Sequence, residues 1–236
     1  MSKIEEYLDS LPDDVQKIDV SFKNLNYLPK LSRFFKLKKL YCNNNQLTSL
    51  PVLPENLKEL YCYHNNLLSL PVLPVKLEKL NCHNNNLTLL PVLPENLKEL
   101  CCSSNKLTSL PALPENLKWL NCSYNNLTSL PVFNENLELL YCYNNNLTSL
   151  PVLPENLKYL CYHSNPIYDI ILYNNDLNII NNKIKILNNF RYLYYCLKYR
   201  KILWKMMEPI IKKRYHPSYL CDLMEEDDLD KKLSEW

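Results

Sequence analysis

The sequence predicts a mostly β, α/β-type solenoid of short parallel strands, with a short helix before it and a helical tail after it. Three observations support this fold class. A twenty-residue pattern returns at fixed spacing, each copy contains an alternating apolar and polar run, and most copies contain two prolines three residues apart. Self-similarity at a fixed period indicates stacked repeats.

The repeat begins at Leu37 with the pattern L-x-x-L-x-C-x-x-N-x-L-x-x-L-P-x-L-P-x-x, which returns every twenty residues as far as Leu157. A degenerate copy begins near Val15 and has two extra residues before Leu37. We therefore predict eight repeats over about residues 15–172. The last copy is also degenerate, and its inward positions are Leu157, Leu160, Tyr162, Asn165, Ile167 and Ile170.

Each repeat contains one short strand, because its third to seventh residues alternate between outward and inward, as at residues 59–63. Such units stack only in parallel, with neighbouring strands roughly 4.8 Å apart. The Leu-Pro-x-Leu-Pro segment that follows excludes a helix on the return path, since both prolines would break helical hydrogen bonds. We expect an extended, polyproline-like return.

A solenoid needs caps, because a terminal repeat exposes one face of its core. The apolar spacing in residues 2–11 predicts a capping helix, which begins with a capping box formed by Ser2 and Glu5. Helical spacing of apolar residues predicts a second helix from near Asp176. The predicted domains are an N-terminal cap at 1–14, the solenoid at 15–172, and a helical C-terminal cap with a charged tail at 173–236.

The tail has a different composition from the repeats. Its apolar spacing predicts an amphipathic helix to about Glu208, which Pro209 ends or kinks. Residues 190–217 contain eight Lys or Arg and one acid, whereas residues 218–236 contain seven acids and two lysines. The two parts can pair with each other, or the basic helix can bind a second partner or an anionic surface.

The repeat resembles the leucine-rich repeat family in its short twenty-residue form, L-P-x-L-P-x-x-L-x-x-L-x-V/C-x-x-N-x-L, which occurs in bacterial effector proteins. The cysteine variant, rich in Asn and free of Gly, is similar to leucine-rich repeat proteins of giant DNA viruses. The resemblance covers about two thirds of the chain. It implies strands on a concave face, an extended convex side, and binding of a protein partner on the concave face without enzymatic activity.

Composition gives the expected compartment. The net charge of +2 does not indicate a nucleic-acid partner, and we expect none. The N-terminus carries charges where a signal peptide needs an apolar run, and no run of eighteen apolar residues predicts a transmembrane segment. We expect a cytoplasmic protein, in the host-cell cytoplasm if it is viral, whose cysteines are thiols.

Two columns of the repeat predict a structural ladder. The sixth position points inward beside leucines, and a line of thiols does not converge on one ion as a zinc site requires, so we expect packing and neither metal nor cofactor. The ninth position can satisfy backbone groups of two neighbouring coils with one amide. The ladder comprises Cys42, Cys62, Cys82, Cys102, Cys122, Cys142, Asn45, Asn65, Asn85, Asn105, Asn125, Asn145 and Asn165.

Candidate partner-binding residues are the aromatic side chains at outward positions. Aromatic residues on a rigid exposed surface anchor protein interfaces, although tyrosine is also simply favoured in strands. Five of them are expected to form one patch across the last strands. The candidates are Tyr41, Tyr61, Tyr63, Trp119, Tyr124, Tyr141, Tyr143 and Tyr159.

Enzymatic and metal alternatives have weaker signals. His64 and His83 lie on neighbouring repeats near Cys101, but no acidic residue at the outward positions beside them completes a ligand set. Cys161 and His163 lie two residues apart on one strand, without a group to orient the histidine. Both Cys101 and Cys161 are predicted to be exposed.

Overall fold

The structure, a computed structural model, describes residues 2–171 and 176–198. The chain divides into two compact units, Met1–Lys185 and Ile186–Trp236. Along the described residues the elements are α1 (Lys3–Asp9), β1 (Lys17–Asp19), β2 (Lys39–Tyr41), β3 (Glu59–Tyr61), β4 (Lys79–Asn81), β5 (Glu99–Cys101), β6 (Trp119–Asn121), β7 (Leu139–Tyr141), β8 (Tyr159–Cys161), α2 (Pro166–Ile171) and α3 (Leu177–Lys198).

The strands of the described region form one parallel sheet in the order in which they occur along the chain. From β2 onwards each strand pairs with residues twenty positions later, as Leu60 does with Leu80. Between β1 and β2 the offset is twenty-two, since Lys17 pairs with Lys39. This confirms the predicted fold class, and the two extra residues lie in the first return segment.

The core is built from the inward leucines and cysteines of every coil. Leu57, Leu60, Cys62 and Leu67 have no exposed surface, and the equivalent residues of the neighbouring coils repeat this. Complete burial of one such leucine contributes roughly 1.5–3 kcal/mol. The return segments are not helical, and each re-enters the sheet through a turn in which, for example, the N–H of Leu57 donates to the carbonyl of Pro54 at 3.1 Å.

The eighth residue of each coil has a left-handed backbone, with φ between 50° and 54° at Asn44, His64, Asn84, Ser104, Tyr124, Asn144 and Ser164. This conformation ends the strand and starts the turn. Glycine adopts it most easily, and asparagine tolerates it best among the other residues. In a chain without glycine, asparagine takes this position in three coils, and the other coils hold a less suitable residue there.

Helix α1 covers the first coil. The hydroxyl of Ser2 accepts from the N–H of Glu5, and the carboxylate of Glu5 accepts from the N–H of Ser2, which confirms the predicted capping box. Ile4 and Leu8 are buried. Arg33, which the sequence analysis did not identify, ties the helix end to the first return segment. It donates to the carbonyls of Leu8 and Leu11 and pairs with Asp13 at 2.8 Å.

The last coil ends differently from the prediction. Ile167 and Ile170 were assigned to a degenerate repeat, but they lie in α2, and Ile170 is exposed instead of inward. The physical reason is that Pro166 fits the first position of a helix and no Leu-Pro-x-Leu-Pro segment follows to keep the chain extended.

Helix α3 begins where the sequence predicts. The carboxylate of Asp176 accepts from the N–H of Asn178 at 2.8 Å, as an N-cap residue does. Asn181 exchanges two hydrogen bonds with the backbone of Leu153, at 3.0 and 3.2 Å, and Ile184 is buried. The predicted continuation of the amphipathic helix beyond Lys198 lies outside the described residues, and the domain boundaries after residues 14 and 172 stay predictions.

Candidate functional site

The outward residues of the strands form the concave face. In β3 the alternation is clear, since Glu59 and Tyr61 are half-buried on the outside whereas Leu60 is fully buried. Parallel register places the same repeat position of neighbouring coils side by side, so each outward position becomes a row across the sheet. The chemistry of the face can therefore be followed row by row.

The charges in the first half of this face neutralise each other. The ammonium of Lys39 pairs with the carboxylate of Glu59 at 2.9 Å, and Lys79 pairs with Glu99 at 2.6 Å. The hydrogen bonds that the two lysines donate to these carboxylates raise the pKa of both lysines. The lysines and glutamates of this row therefore form ion pairs, which leaves the aromatic rings as the distinctive groups of the face.

The first half also carries a cluster of rings, the N-terminal aromatic cluster, formed by Tyr41, Tyr61, Tyr63, His64 and His83. Tyr41 and Tyr61 stack with ring centroids 4.7 Å apart and planes 1° from parallel. Tyr63 stacks on His83 at 4.5 Å, and the edge of His64 meets His83 at 4.9 Å. Stacked and edge-on rings hold each other in place, so the cluster is ordered before any partner arrives.

Burial favours the neutral forms of two rings of the N-terminal aromatic cluster, His83 and Tyr61. Burial lowers the pKa of His83, and the nearby ring of His64 lowers it further. Nδ1 of His83 lies 2.8 Å from Oδ1 of Asn81, a contact that orients the ring. Burial raises the pKa of Tyr61, and the charge of Glu59 adds to this. Both shifts favour the neutral forms of His83 and Tyr61, which act as apolar surfaces with polar edges.

The second half carries the C-terminal aromatic cluster, formed by Tyr124, Tyr141, Tyr143, Tyr159 and His163. Tyr124 meets Tyr143 edge-on at 5.2 Å, Tyr143 stacks on His163 at 4.6 Å, and Tyr141 lies 5.1 Å from Tyr159. Tyr124 and Tyr159 are exposed, whereas Tyr141 and Tyr143 are half-buried. The sequence analysis named the four tyrosines but treated His163 only as part of a catalytic pair.

Trp119 extends this surface along the row of third positions. Its register partner in β7 is Leu139, whose partner in β8 is Tyr159. All three are at least partly exposed. The predicted aromatic patch thus has an aliphatic residue between Trp119 and Tyr159, which makes this row continuously apolar across three strands.

Cys101 is buried, with 5% of its surface exposed, so its predicted exposure was wrong. Its short side chain lies between Asn81 and Asn121 in the neighbouring strands, and it contacts the hydroxyl of Ser103 at 3.6 Å. Ser123, at another outward position, is buried as well. Small residues at outward positions are covered by longer neighbours. The alternation of inward and outward residues along one strand does not predict this.

The six column cysteines are free thiols buried in the core. Burial raises the pKa of Cys42 and of Cys122 to about 12, because a thiolate would lose its hydration. Sγ of Cys82 lies 3.4 Å from the carbonyl oxygen of Cys101 as a weak donor. A buried thiol with a raised pKa forms little thiolate at neutral pH, and the thiolate is the form that attacks electrophiles or binds metals.

The ninth-position asparagines bond backbone groups of two coils. Nδ2 of Asn85 donates to the carbonyls of Cys62 and Cys82, both at 3.1 Å, while Oδ1 accepts from the N–H of Leu67 at 3.0 Å. The other members of the column repeat these bonds, with Val20 and Leu25 as partners of Asn45 in the first coil. One side chain per coil thereby satisfies polar groups that water cannot reach.

A second asparagine column was missed by the sequence analysis. Nδ2 of Asn96 donates to the carbonyl of Val75 at 2.8 Å, and Nδ2 of Asn116 does the same to Glu95 at 2.8 Å. Asn56, Asn136 and Asn156 repeat the contact. The recurring tripeptide Pro-Glu-Asn was the available signal for this column, which links the convex turns of adjacent coils.

Metal and catalytic alternatives gain no support from the geometry. Within residues 2–171 and 176–198, no three His, Cys, Asp or Glu side chains are arranged to hold a metal ion. Nδ1 of His163 contacts the hydroxyl of Ser164 at 3.0 Å while its ring stacks on Tyr143. Burial raises the pKa of Cys161, which is only half-exposed, whereas an activated nucleophile needs a lowered pKa.

Family profiles match two parts of the solenoid. A profile described as Leucine Rich repeats (2 copies) matches residues 35–75, and one described as Leucine Rich Repeat matches residues 116–134. Comparison with curated proteins gives no match. Among the described residues, none of the helices combines the length and hydropathy that a membrane span requires.

Solved structures of bacterial effectors are similar to this chain. YopM from Yersinia enterocolitica WA-314 is 36% identical with a TM-score of 0.64, and the match covers 66% of this chain and 34% of YopM. YopM from Yersinia pestis, described as a leucine-rich effector protein, is 35% identical with a TM-score of 0.60, over 67% of this chain and 45% of that one. This chain therefore spans less than half of either YopM structure.

A third similar structure is a Shigella effector LRR domain, 37% identical with a TM-score of 0.57, where the match covers 63% of this chain and 66% of that domain. Together with the parallel sheet and the profile matches, these structures give the chain the leucine-rich repeat fold and a similarity to bacterial effectors.

Proposed function

We propose that this leucine-rich repeat chain is a non-enzymatic protein-interaction module that binds its partner on the concave face. The observation that carries the proposal is the C-terminal aromatic cluster, together with the apolar row of Trp119, Leu139 and Tyr159 beside it. Rings fixed by mutual contacts lose little conformational entropy on binding, and large aromatic residues dominate the energetics of protein interfaces. Similarity to bacterial effectors supports the same class of function.

The N-terminal aromatic cluster supplies a second set of contacts on the same face, at Tyr41, Tyr61 and Tyr63. The strands β3 and β7 lie four strand spacings apart, so the two clusters are separated by roughly 19 Å. A partner that contacts both therefore presents two apolar groups at about that distance.

The experiment compares the intact chain with a Trp119→Ala and Tyr141→Ala double variant as baits for protein capture. The double variant is expected to lose the captured partner, and Tyr7→Ala, which removes an exposed ring of α1 outside the strands, is the matched control. Melting temperatures of all baits should agree closely, because none of the three rings is fully buried. Equal capture by the double variant and the intact chain contradicts the proposal.

A second proposed role is that of an adaptor whose basic C-terminal helix recruits another partner or an anionic surface. Its support is the eight Lys or Arg against one acid in residues 190–217. Replacing Arg200, Lys201 and Lys205 with glutamate in the full chain should abolish co-sedimentation with anionic vesicles. Unchanged sedimentation, or none by the intact chain, rejects the anionic-surface version of this role.

A cytoplasmic location is also part of the proposal, and it is supported by the free thiols of the cysteine column. Imaging of the tagged chain in the cell that produces or receives it tests this location. The resemblance to giant-virus proteins, and with it the host-cell compartment, stays a prediction.

A further inference from the structure

The convex side carries an unusual row of exposed aliphatic residues. In most coils the residue that follows the first proline of the return segment is valine. The exposed fraction is 84% for Val52, 87% for Val72 and 86% for Val92. Ala112, which takes this position in the next coil, is exposed too. The valine row consists of Val52, Val72, Val92, Ala112, Val132 and Val152.

The fold does not need valine in this row. The next two residues, Leu53 and Pro54, are buried and hold the return segment on the core, while Val52 faces away from it. Proline fixes the backbone on both sides, so the segment cannot rotate to bury the valine. A continuous exposed apolar row on a folded protein marks an interaction site.

An acidic row runs beside the valine row, three residues later in each coil. It consists of Glu55, Glu95, Glu115, Glu135 and Glu155, all of them exposed, with Val75 in the remaining coil. Val52 and Glu55 line one shallow groove together with Phe35 of the preceding coil. On the other flank of the valine row the exposed residues are neutral, as at Ser49 and Ser109. The surface is therefore apolar along its centre and negative along one edge.

The spacing of this surface fits an α-helix. Six coils span five spacings of about 4.8 Å, or roughly 24 Å, which equals about sixteen helical residues or just over four turns. A helix laid along the row presents one apolar side chain per turn of about 5.4 Å, close to the one valine per coil. An extended strand fits less well, because Pro51 and Pro54 have no N–H groups to donate to it.

We propose that the valine row and the acidic row bind an amphipathic α-helix of a partner protein, with an apolar stripe flanked on one side by lysine or arginine. Apolar contact with the valines supplies affinity, and the acidic row sets the orientation of the helix. The convex face of a second copy is a poor occupant, because it carries the same valine row and acidic row. The basic residues 190–217 of a second copy are the alternative occupant, and the sedimentation measurement below tests it. The site is independent of the concave face.

Fluorescence anisotropy of a labelled peptide against the full chain tests this site. The probe is a designed amphipathic helix of about eighteen residues, with leucines on one face and lysines along one edge. The double variant Val72→Ser and Val92→Ser is expected to weaken binding about ten-fold or more. The matched control is Leu68→Ser and Leu89→Ser, which alters two exposed leucines of the same coils outside the row.

A separate experiment tests the contribution of the acidic row to binding. Glu95→Gln with Glu115→Gln should weaken binding and reduce its dependence on salt, because exposed charges are screened. A peptide of the same composition, scrambled to destroy the apolar stripe, should bind at least about ten-fold more weakly.

Several results overturn the proposal. These are equal binding of the scrambled peptide, unchanged affinity of the valine variant, and self-association in sedimentation velocity that the valine variant abolishes. The Trp119→Ala and Tyr141→Ala variant should bind the probe normally, and its failure to do so would assign the probe to the concave face instead.

Discussion

Oδ1 of Asn125 accepts a hydrogen bond from the backbone N–H of Leu107, eighteen residues earlier, at 2.9 Å. Nδ2 of the same side chain donates to the carbonyls of Cys102 and Cys122, at 3.0 and 3.1 Å. One amide thus joins two coils at the point where each chain leaves its strand. Because the amide is buried, water cannot replace it if it is lost.

Replacing Asn125 with alanine is expected to lower the free energy of unfolding by about 2–4 kcal/mol, since each buried backbone group left without a partner costs about 1–3 kcal/mol. Urea denaturation followed by circular dichroism measures this change. The adjacent Asn126 is exposed, and Asn126→Ala should change the stability by less than about 0.5 kcal/mol. Equal effects of the two substitutions would show that the ladder contributes nothing specific.

The column thiols should resist alkylation in the native protein. Burial raises the pKa of Cys42 and Cys122 to about 12, so almost no thiolate is present at pH 8. Cys161 is partly exposed and should react first among the cysteines of the eight coils. Peptide mapping after timed treatment with iodoacetamide measures the order. Labelling of Cys122 as fast as that of Cys161 contradicts the packing assigned to the column.

The Glu78 carboxylate should make part of the stability depend on pH. It accepts hydrogen bonds from Lys58 and Lys98, both at 2.7 Å, and these lower its pKa from 4.5 to about 2. A pKa lowered by folding stabilises the native state fully above pH 4.5, and the contribution disappears as the pH falls towards 2. Exposed pairs of this kind contribute at most about 1 kcal/mol.

The Glu78→Gln variant should therefore be less stable than the parent at pH 7 and equally stable near pH 2. Thermal unfolding across this pH range measures the difference. Glu95→Gln, on the exposed convex side, is the control and should change the stability at pH 7 by less than about 0.5 kcal/mol. A difference in melting temperature between Glu78→Gln and the parent that is the same at every pH would show that ionisation of Glu78 does not cause the loss of stability.

Introducing asparagine at a left-handed position that lacks it should make the protein more stable. Ser104 has φ of 52°, a conformation that asparagine tolerates better than serine. Ser104→Asn is expected to raise the free energy of unfolding by about 0.5–1 kcal/mol. The reciprocal change Asn144→Ser, at the equivalent position of a later coil, should lower it by a similar amount. The melting temperature should rise for Ser104→Asn and fall for Asn144→Ser, and changes in the same direction contradict the prediction.

The repeat geometry was predictable from the sequence because it depends on local rules. The alternation at residues 59–63 gives the strand, and the two prolines of each return segment exclude a helix there. The two-residue insertion before Leu37 was visible as a change of spacing, and the register of β1 with β2 reproduces it. Ser2 and Glu5 were recognisable as a capping box for the same local reason.

Other features depend on neighbours that the sequence pattern does not identify. Cys101 occupies an outward position, but Asn81 and Asn121 on the adjacent strands cover it. Helix α2 takes the place of the last return segment, and Ile170 is exposed although its spacing matches an inward position of the repeat. The contacts of Arg33 with the end of α1 join residues more than twenty positions apart, and no motif marks them.

The sequence by itself determined the repeat, its parallel stacking, its inward column of leucine and cysteine, and the rows along which outward residues lie. These follow from periodicity and from the restrictions that proline places on the backbone. Only the tertiary structure decided which outward residues pair, stack or are covered, because these outcomes depend on the size and charge of residues in adjacent coils. For that reason the ion pairs, the two aromatic clusters and the exposed valine row became visible as surfaces only after the coils were stacked.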